Sequence, residues 1–273
     1  MNLDALGIIA GSGRYPILLA EAARARGVKR LAVVGFPGET LPEVAKLADD
    51  YKELRVGQLG AMCAYFHDQK ITQAIMAGQI RPANLFELRP DLKALLLLAK
   101  LKERNAESIF GAIADELRAV GTELLPATTF LEDSVAAAGH IAGPKLSRKQ
   151  QADVAFGFRI AKEVSRLDIG QSVVVKNGTV VAVEAFEGTD AAMERGGRLG
   201  KGDVVLIKVS KPGQDFRFDV PVLGTRTMEQ ARDAGVRVIA CEAGRTLLLD
   251  RDAVLAQAER WAIALVAVDG TTL

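Results

Sequence analysis

Short apolar runs alternate with amphipathic segments throughout residues 1–132, and this alternation restricts the fold more than any other feature of the sequence. The apolar runs have the length of strands, and the segments between them repeat their apolar residues at helical spacing. Strands that alternate with helices form a parallel sheet with right-handed crossovers. We therefore predict a Rossmann-like parallel α/β domain over residues 1–132. Its strands are expected at 6–10, 30–35, 51–57 and 71–78, and its helices at 16–27, 41–50, 59–69, 91–103 and 107–120.

The second half of the sequence has a different pattern, which predicts a mixed α/β domain over residues 133–273. Ser147 and Gln150 have the spacing of a capping box and predict the start of a helix. Asn177-Gly178 joins two β-branched runs, which is a strong hairpin signal. A second capping pair predicts another helix that begins at Thr227. The remaining strands are expected near 203–210, 236–241 and 262–268, and the remaining helices at 148–166 and 250–260.

Composition and charge argue against several classes of protein. The formal net charge of +1 gives no electrostatic argument for binding nucleic acid, so we expect no nucleic-acid partner. The first residues lack the basic region of a signal peptide, and the longest apolar stretch, at 94–101, is far shorter than the roughly 20 residues that span a bilayer. Cys63 and Cys241 are interpreted as buried apolar side chains in a reducing compartment. We therefore predict a cytoplasmic protein, for which peripheral contact with a membrane surface stays open.

A Gly11-Ser12-Gly13 turn follows the first predicted strand and precedes the first predicted helix. Backbone N–H groups in such a turn, together with the helix dipole, favour an anion. The dinucleotide fingerprint requires a third glycine three residues later and an acidic residue at the end of the second strand. Pro16 and Gly35 occupy those positions. This disfavours a nicotinamide dinucleotide and leaves two readings, a site for another phosphate or nucleotide and a purely structural turn.

The fourth predicted strand ends in the segment AGQIRP, residues 77–82, which we expect at the same edge of the sheet as the glycine turn. The Gln79 amide can bind a base or a sugar, and the Arg81 guanidinium can bind a phosphate. The alternative for Arg81 is an exposed arginine at a strand end.

Gly188 and Thr189 open a predicted helix in the segment EAFEGTDAAMERGG, residues 184–197. The free N–H groups of that helix start can hold a phosphate, but Glu187 and Asp190 flank them. Carboxylates beside an anion site indicate a metal ion that bridges them to the phosphate. Alternatively, Thr189 caps the helix and Asp190 stabilises its dipole.

The segment KVSKPGQDFRFDVP, residues 208–221, contains the densest set of charged side chains. If 215–219 is extended, Asp215, Arg217 and Asp219 share one face, while the two phenylalanines between them pack inward. Carboxylates with a cation between them are suited to binding Mg²⁺ together with a polyphosphate. The alternative is an edge strand with a solvated face. Three further polar residues precede this row, namely Lys208, Lys211 and Gln214.

The sequence does not indicate histidine or cysteine catalysis. His67 and His140 lack partners at metal-ligand spacing. The sequence contains no nucleophile-elbow, paired C-x-x-C or Walker A motif. We therefore predict that the chemistry depends on carboxylates, a metal ion and basic residues.

Five segments carry a resemblance to a known family: GIIAGSGRYPILLAEAARARG, VGQLG, MAGQIRP, LDIGQSVVVKNGTVVAVEAFEGTDAAMERGG and KVSKPGQDFRFDVPVLGTRTM. The chain resembles the LpxI-type UDP-2,3-diacylglucosamine pyrophosphatases of lipid A biosynthesis nearly from end to end. The resemblance implies a hydrolase that uses Mg²⁺ or Mn²⁺ and forms UMP and 2,3-diacylglucosamine 1-phosphate (lipid X), with water attacking the α-phosphorus. It also implies a Gram-negative bacterium and a peripheral position at the inner leaflet of the cytoplasmic membrane. A homodimer stays open.

The resemblance also implies roles for individual residues. Asp219 is expected to be the catalytic carboxylate or a metal ligand, and Asp190 and Asp215 are expected to be further metal ligands. Positive side chains of the same segments would neutralise the pyrophosphate as charge develops on the leaving oxygen. The residues assigned to catalysis are Asp219, Asp190, Lys208 and Arg217. The residues assigned to substrate binding are Gly11, Ser12, Gly13, Gln79, Arg81, Gly188, Thr189, Lys211 and Gln214.

Two other functions compete with the hydrolase. A non-catalytic carrier would shelter a diacylated sugar phosphate, with the apolar helix predicted at 92–101 lining an acyl-chain groove, although the same helix is also typical of an ordinary core. A nicotinamide-dependent oxidoreductase would rest on the Gly11–Gly13 turn alone.

Overall fold

The computed structural model describes residues 3–80, 90–101 and 106–270. Its contacts divide the chain into two compact units. The first unit contains Met1–Glu132 and also Asp215–Asp219, and the second unit contains Asp133–Gln214 and Val220–Leu273. A short segment from the second half of the sequence therefore belongs to the first unit.

The first unit is built around one parallel sheet. Its strands are β1 (Ala5–Ala10), β2 (Arg30–Gly35), β3 (Asp50–Glu53), β4 (Gln73–Ala77) and β5 (Glu123–Leu124). Its helices within the described ranges are α1 (Tyr15–Ala25), α2 (Pro42–Leu47), α3 (Leu59–Asp68), α4 (Leu92–Lys100) and α5 (Ala106–Ala119).

The strands of this sheet are ordered β3-β2-β1-β4-β5, and every described pair in it is parallel. This is the doubly wound order of a Rossmann-like domain, so the α/β prediction is confirmed. β1 and β2 are buried at almost every position because the sheet is covered on both faces. The strand order reverses beside β1, which places the ends of β1 and β4 at the point where such sheets bind ligands.

The third strand is shorter than the sequence predicts, ending at Glu53 instead of residue 57. The residues that follow form a turn in which Gln58 N donates to Arg55 O at 3.1 Å and Arg55 N donates to Gln58 Oε1 at 2.7 Å. The glutamine side chain stabilises this turn in place of further strand pairing.

Asp91 joins the starts of two helices of the first unit. Its carboxylate accepts hydrogen bonds from Ala94 N of α4 at 2.9 Å and from Gly60 N of α3 at 2.7 Å. One capping side chain therefore satisfies free N–H groups of both helices and fixes α4 against α3. The predicted end of α4 at residue 103 lies outside the described residues.

The second unit is built around a mixed sheet. Its strands are β6 (Gly139–Ala142), β7 (Ser172–Lys176), β8 (Thr179–Val183), β9 (Val204–Lys208), β10 (Val222–Leu223), β11 (Val236–Glu242), β12 (Leu247–Leu248) and β13 (Ala264–Val268). Its helices are α6 (Arg148–Arg166), α7 (Thr189–Gly200), α8 (Thr225–Asp233) and α9 (Arg251–Arg260).

Six of these strands are ordered β6-β13-β11-β9-β7-β8, while β10 and β12 form a separate parallel pair. β9, β11 and β13 are parallel, and β6, β7 and β8 are added in antiparallel pairings. The mixed α/β prediction is therefore confirmed. Because Ser172 at the start of β7 pairs with Lys208 at the end of β9, β7 begins at the same edge at which β9 and β11 end. We call this the carboxyl edge of the second sheet.

Of the three local sequence signals in the second half, the structure confirms two and contradicts one. The Ser147 capping box is confirmed, with Gln150 N donating to Ser147 Oγ at 3.3 Å. The hairpin is also confirmed, since Asn177 and Gly178 both have positive φ and join β7 to β8. The predicted helix start at Thr227 is wrong. The helix begins at Thr225, because Gly224 occupies the cap position and donates its N–H to Thr227 Oγ1 at 3.4 Å.

Candidate functional site

The glycine turn after β1 is bonded to the end of β4. Gly11 N donates to Ala77 O at 2.7 Å, and Ser12 N and Ser12 Oγ donate to Gln79 O at 2.7 and 2.8 Å. The structure thus brings Ser12 and Gln79 together at the reversal of strand order. Because Gly11 N–H and Ser12 N–H already donate within the protein, the anion-binding capacity of this turn depends on Gly13 and on the start of α1.

Two glycines allow these backbones to approach so closely. A Cβ atom on Gly11 would lie 2.6 Å from Gln79 O, and a Cβ atom on Gly78 would lie 2.5 Å from Ser12 O. A Cβ atom on Gly13 would meet nothing within 4 Å, so the outer side of the turn is open. Gln79 is exposed beside it. Arg81, which the sequence analysis placed at this edge, lies outside the described residues.

Residues 215–219 form a turn, so the predicted extended row of charges is wrong. Phe218 N and Asp219 N both donate to Asp215 O, at 3.2 and 3.0 Å. The Asp215 carboxylate also accepts from Arg217 N at 3.0 Å. An aspartate side chain that bonds the backbone two residues later favours a turn over a strand, which explains the error.

Asp215 and Arg217 neutralise each other within this turn. Arg217 Nε lies 3.0 Å from each Asp215 carboxylate oxygen, and the pair is about three-quarters buried. The Arg217 side chain lowers the pKa of Asp215 against the opposing effect of burial, and the same contact raises the pKa of Arg217. Both predicted functional groups are therefore already paired in this structure.

The turn is held on the first unit by its two phenylalanines. Ala127 N donates to Phe216 O at 2.7 Å, and the ring of Phe218 lies 5.4 Å from the ring of Phe110 on α5. Asp219 is exposed, and its carboxylate has no hydrogen bond or ion pair with the part of the chain that the structure describes. Asp219 is thus an available carboxylate on a fixed turn.

Helix α7 begins after Gly188, which has φ 85° and is the cap residue. Thr189 is the first helical residue, so its predicted role as the cap is wrong. A positive φ at the cap position is readily adopted by glycine, and the helix starts one residue earlier than a threonine cap would require. The other predicted acids have cationic partners, since Glu187 pairs with Arg195. Asp190 lies 3.2 Å from a guanidinium nitrogen of Arg226.

Glu184 is a candidate residue that the sequence analysis missed. It follows β8 and is buried, with an exposed fraction of 7%. Its Oε1 accepts from Thr189 Oγ1 at 3.1 Å, and Ser172 Oγ lies 3.2 Å from the same hydroxyl. Its Oε2 has no hydrogen-bond partner among the described residues. A carboxylate at the end of the apolar run VVAV was the signal available in the sequence.

The predicted polar residues ahead of the 215–219 turn are engaged at the carboxyl edge of the second sheet. Lys208 is buried and its Nζ donates to Val222 O at 3.3 Å. Lys211 forms an ion pair with Asp168. Gln214 Oε1 accepts from Lys211 N at 2.8 Å, while Gln214 Nε2 is buried without an acceptor in the described residues. An unused buried donor is suited to a phosphate or sugar oxygen.

The carboxylates predicted to bind a metal ion do not form a cluster in the described ranges. No three His, Cys, Asp or Glu side chains within the described ranges are grouped so that they could hold a metal ion. Asp215 and Asp190 have arginine partners, which leaves Asp219 available. One available carboxylate cannot by itself supply all the ligands of a metal ion. It does fit Mg²⁺, which is usually held by one or two carboxylates together with substrate phosphates and water.

No helix in the described ranges combines the length and the apolar character that crossing a bilayer requires.

Comparisons with known proteins match both halves of the chain. The model of the LpxI N-terminal domain matches residues 5–134, and that of the LpxI C-terminal domain matches residues 137–266. The UDP-2,3-diacylglucosamine pyrophosphatase LpxI of Caulobacter vibrioides is 30% identical over 275 residues, which cover 97% of each chain. Among solved structures, the biotin carboxylase subunit of pyruvate carboxylase is 13% identical with a TM-score of 0.28, covering 67% of this chain and 35% of that one.

Proposed function

The chain belongs to the LpxI family, and from this premise we propose that it hydrolyses the pyrophosphate of UDP-2,3-diacylglucosamine to UMP and 2,3-diacylglucosamine 1-phosphate. The observation that carries the proposal is the match of both family domains, in order, together with a relative of that printed name that aligns over 97% of the chain. The exposed carboxylate of Asp219, on a turn that is held in place, supports the same chemistry. Hydrolysis needs a carboxylate that is not already neutralised by a cationic side chain.

The proposed reaction is attack of water on the α-phosphorus. A bond forms between the water oxygen and that phosphorus, and the bond from phosphorus to the bridging oxygen breaks, so that lipid X leaves as the phosphate. Asp219 is the catalytic carboxylate, either as the acceptor of the water proton or as a ligand of Mg²⁺ or Mn²⁺. The cation, when bound, neutralises charge on the phosphate oxygens. Arg217 stays paired with Asp215 and keeps the turn in shape.

The binding roles are proposed from the two sheet edges separately. In the first unit, Gly13 and Gln79, with Gly11 and Ser12 shaping the turn, would hold the nucleotide end of the substrate, and Arg81 keeps its proposed phosphate role. In the second unit, the start of α7 at Gly188 and Thr189 offers N–H groups to a phosphate. Gln214, which has an unused donor, and Lys211, which pairs with Asp168, keep their proposed substrate-binding roles in the same unit.

The reaction is tested by incubating the protein with UDP-2,3-diacylglucosamine and Mg²⁺ in H₂¹⁸O. We expect UMP that carries the label and unlabelled lipid X, because the attacking water stays on the α-phosphorus. EDTA is expected to stop turnover, and added Mg²⁺ or Mn²⁺ to restore it. Mass spectrometry of both products measures the outcome.

The position of attack, the metal dependence and the hydrolase activity can each be contradicted by a separate result. Label in lipid X would contradict attack at the α-phosphorus, and full activity in EDTA would contradict metal dependence. Absence of UMP at every metal concentration would contradict the hydrolase itself. In that case, native mass spectrometry that finds a retained diacylated sugar phosphate would favour the carrier.

We also propose that α4 contacts the membrane from which the substrate is taken. Leu92, Leu95 and Leu96 have helical i, i+3, i+4 spacing and exposed fractions of 72%, 50% and 54%. The core interpretation of this helix is only partly correct, because Ala94 and Leu97 are buried whereas this stripe is not. An exposed apolar stripe on an amphipathic helix that ends in Lys100 is typical of helices that lie in an anionic lipid surface.

The double substitution Leu95→Ser and Leu96→Ser is expected to weaken binding to vesicles containing anionic lipid by about tenfold, because each leucine loses the free energy of burial in the acyl region. Co-sedimentation with the vesicles measures this. The control is Leu167→Ser with Leu199→Ser, two leucines of similar exposure in the second unit. Equal vesicle binding by both double variants would contradict the proposal. Loss of a dimer in sedimentation velocity would instead indicate that a second copy covers the stripe.

A further inference from the structure

Glu242, the last residue of β11, receives hydrogen bonds from two other elements at the carboxyl edge of the second sheet. Its Oε2 accepts from Ser210 N and Ser210 Oγ, both at 2.7 Å. Lys162 Nζ on α6 lies 3.0 Å from its Oε1 and 3.1 Å from its Oε2. Arg245 Nε lies 3.8 Å from Oε1. The Glu242 side chain is 12% exposed, so these bonds are largely shielded from water.

The three residues form a closed arrangement around Ser210. Lys162 Nζ also donates to Ser210 O at 3.2 Å. The N–H, the hydroxyl and the carbonyl of Ser210 are therefore all held by Lys162 and Glu242. We call Lys162, Ser210 and Glu242 the serine clamp.

The serine clamp lies where the chain leaves β9 of the second sheet. Ser210 directly precedes Lys211 and is four residues before Gln214, and both of these residues have proposed binding roles in the second unit. The clamp residues themselves are assigned no chemistry by the proposed function.

The charge state of Glu242 supports this arrangement. Burial opposes its ionisation, but the hydrogen bonds from Ser210 and the ion pair with Lys162 outweigh that effect and lower its pKa. A buried carboxylate that stays ionised beside its cation makes strong charge-assisted hydrogen bonds. The Glu242 carboxylate is therefore ionised at neutral pH and keeps these bonds charge-assisted.

We propose that Glu242 is a positioning residue, which fixes Ser210 together with Lys162 and thereby sets the path of the Lys211–Gln214 segment of the second unit. The proposal rests on the proposed function for its effect on turnover, although its structural part is independent of the substrate. Displacement of a substrate-positioning group by about 1 Å can cost on the order of 100-fold in rate, so a loosened clamp is expected to reduce kcat without removing any group that touches substrate.

The test is Glu242→Gln, which keeps the shape of the side chain and removes the charge. We expect kcat to fall by about 10- to 100-fold, with faster hydrogen exchange confined to a peptide over 209–221. Ser210→Ala removes only the hydroxyl bond and is expected to give a smaller change of the same kind. Glu163→Gln is the matched control, since Glu163 lies on the same helix as Lys162 in an exposed pair with Arg166 and is expected to behave as wild type.

The two readouts separate the possible failures. Wild-type kcat in Glu242→Gln would overturn the proposal. So would faster exchange spread over all strands of the second sheet, because that result describes a purely stabilising residue. If the wild-type protein does not hydrolyse UDP-2,3-diacylglucosamine, the proposed function fails on its own, and unchanged exchange over 209–221 in Glu242→Gln and Ser210→Ala would still refute the clamp. If Glu242→Gln does not fold, Ser210→Ala alone decides.

Discussion

Asp219→Asn is expected to lower kcat by about 10²–10⁴-fold, the range for loss of a group that takes or holds charge in the transition state. The melting temperature is expected to stay near that of wild type, because the exposed carboxylate makes no hydrogen bond or ion pair with the described residues. The backbone bond from Asp219 N to Asp215 O, which shapes the turn, is unaffected by the change. Steady-state release of UMP and thermal denaturation measure the two expectations.

Asp252→Asn is the control for this substitution. Asp252 is exposed in the first turn of α9. Loss of its charge removes at most about 1 kcal/mol of favourable interaction with the helix dipole and is expected to leave kcat unaltered. A Mn²⁺ titration of Asp219→Asn separates the two proposed roles. Weakened Mn²⁺ binding indicates a ligand, and unchanged binding indicates the proton acceptor. Near-normal turnover would remove Asp219 from the mechanism.

Gly11→Ala is expected to destabilise the first unit by about 3 kcal/mol, the upper end of the usual range for overpacking. The added Cβ would lie 2.6 Å from Gln79 O and 2.9 Å from Gln79 N, and backbone atoms cannot rotate away from it. The bonds from Gly11 and Ser12 to β4 would then be broken or stretched. Calorimetry measures the loss of stability, and uridine nucleotide binding measures the loss of the nucleotide site.

Gly111→Ala makes the same chemical change in the same unit with the opposite expected sign. Gly111 lies inside α5, and a Cβ there would meet nothing within 4 Å. Replacing a helical glycine by alanine in open space is expected to stabilise by about 0.5–1 kcal/mol. If both variants had the same melting temperature, the close approach of the two backbones would not be a structural requirement.

The sequence predicts best the elements whose apolar residues repeat over many positions. β1, β2 and β4 are buried central strands, and their apolar runs predicted both the sheet and the parallel direction of its strands. β5 has only Glu123 and Leu124, too few residues for any period, and it was missed. Both cysteines were correctly expected to be buried.

The candidate site was predicted less completely, for two physical reasons. The alternation of charge and phenylalanine at 215–219 favours a strand, but the Asp215 side chain competes for the backbone and makes a turn. Local sequence patterns give no information about hydrogen-bond partners that are distant along the chain. Lys162 and Glu242 are separated by 80 positions, so no spacing rule could pair them. The local pattern indicated Asp219 only as one of several possible metal ligands, and its proposed catalytic role came from the family resemblance.

Residues 215–219 belong to the first unit although the chain on either side of them belongs to the second. During synthesis the ribosome releases Met1–Glu132 long before it reaches Phe216, so the first unit gains its last contacts only after Asp133–Gln214 of the second unit have been made. A gene cut after Glu132 would separate Asp219 from the surface on which its turn is built. The first half of this protein therefore does not encode a finished unit, because Asp215–Asp219 of that unit lie in the second half.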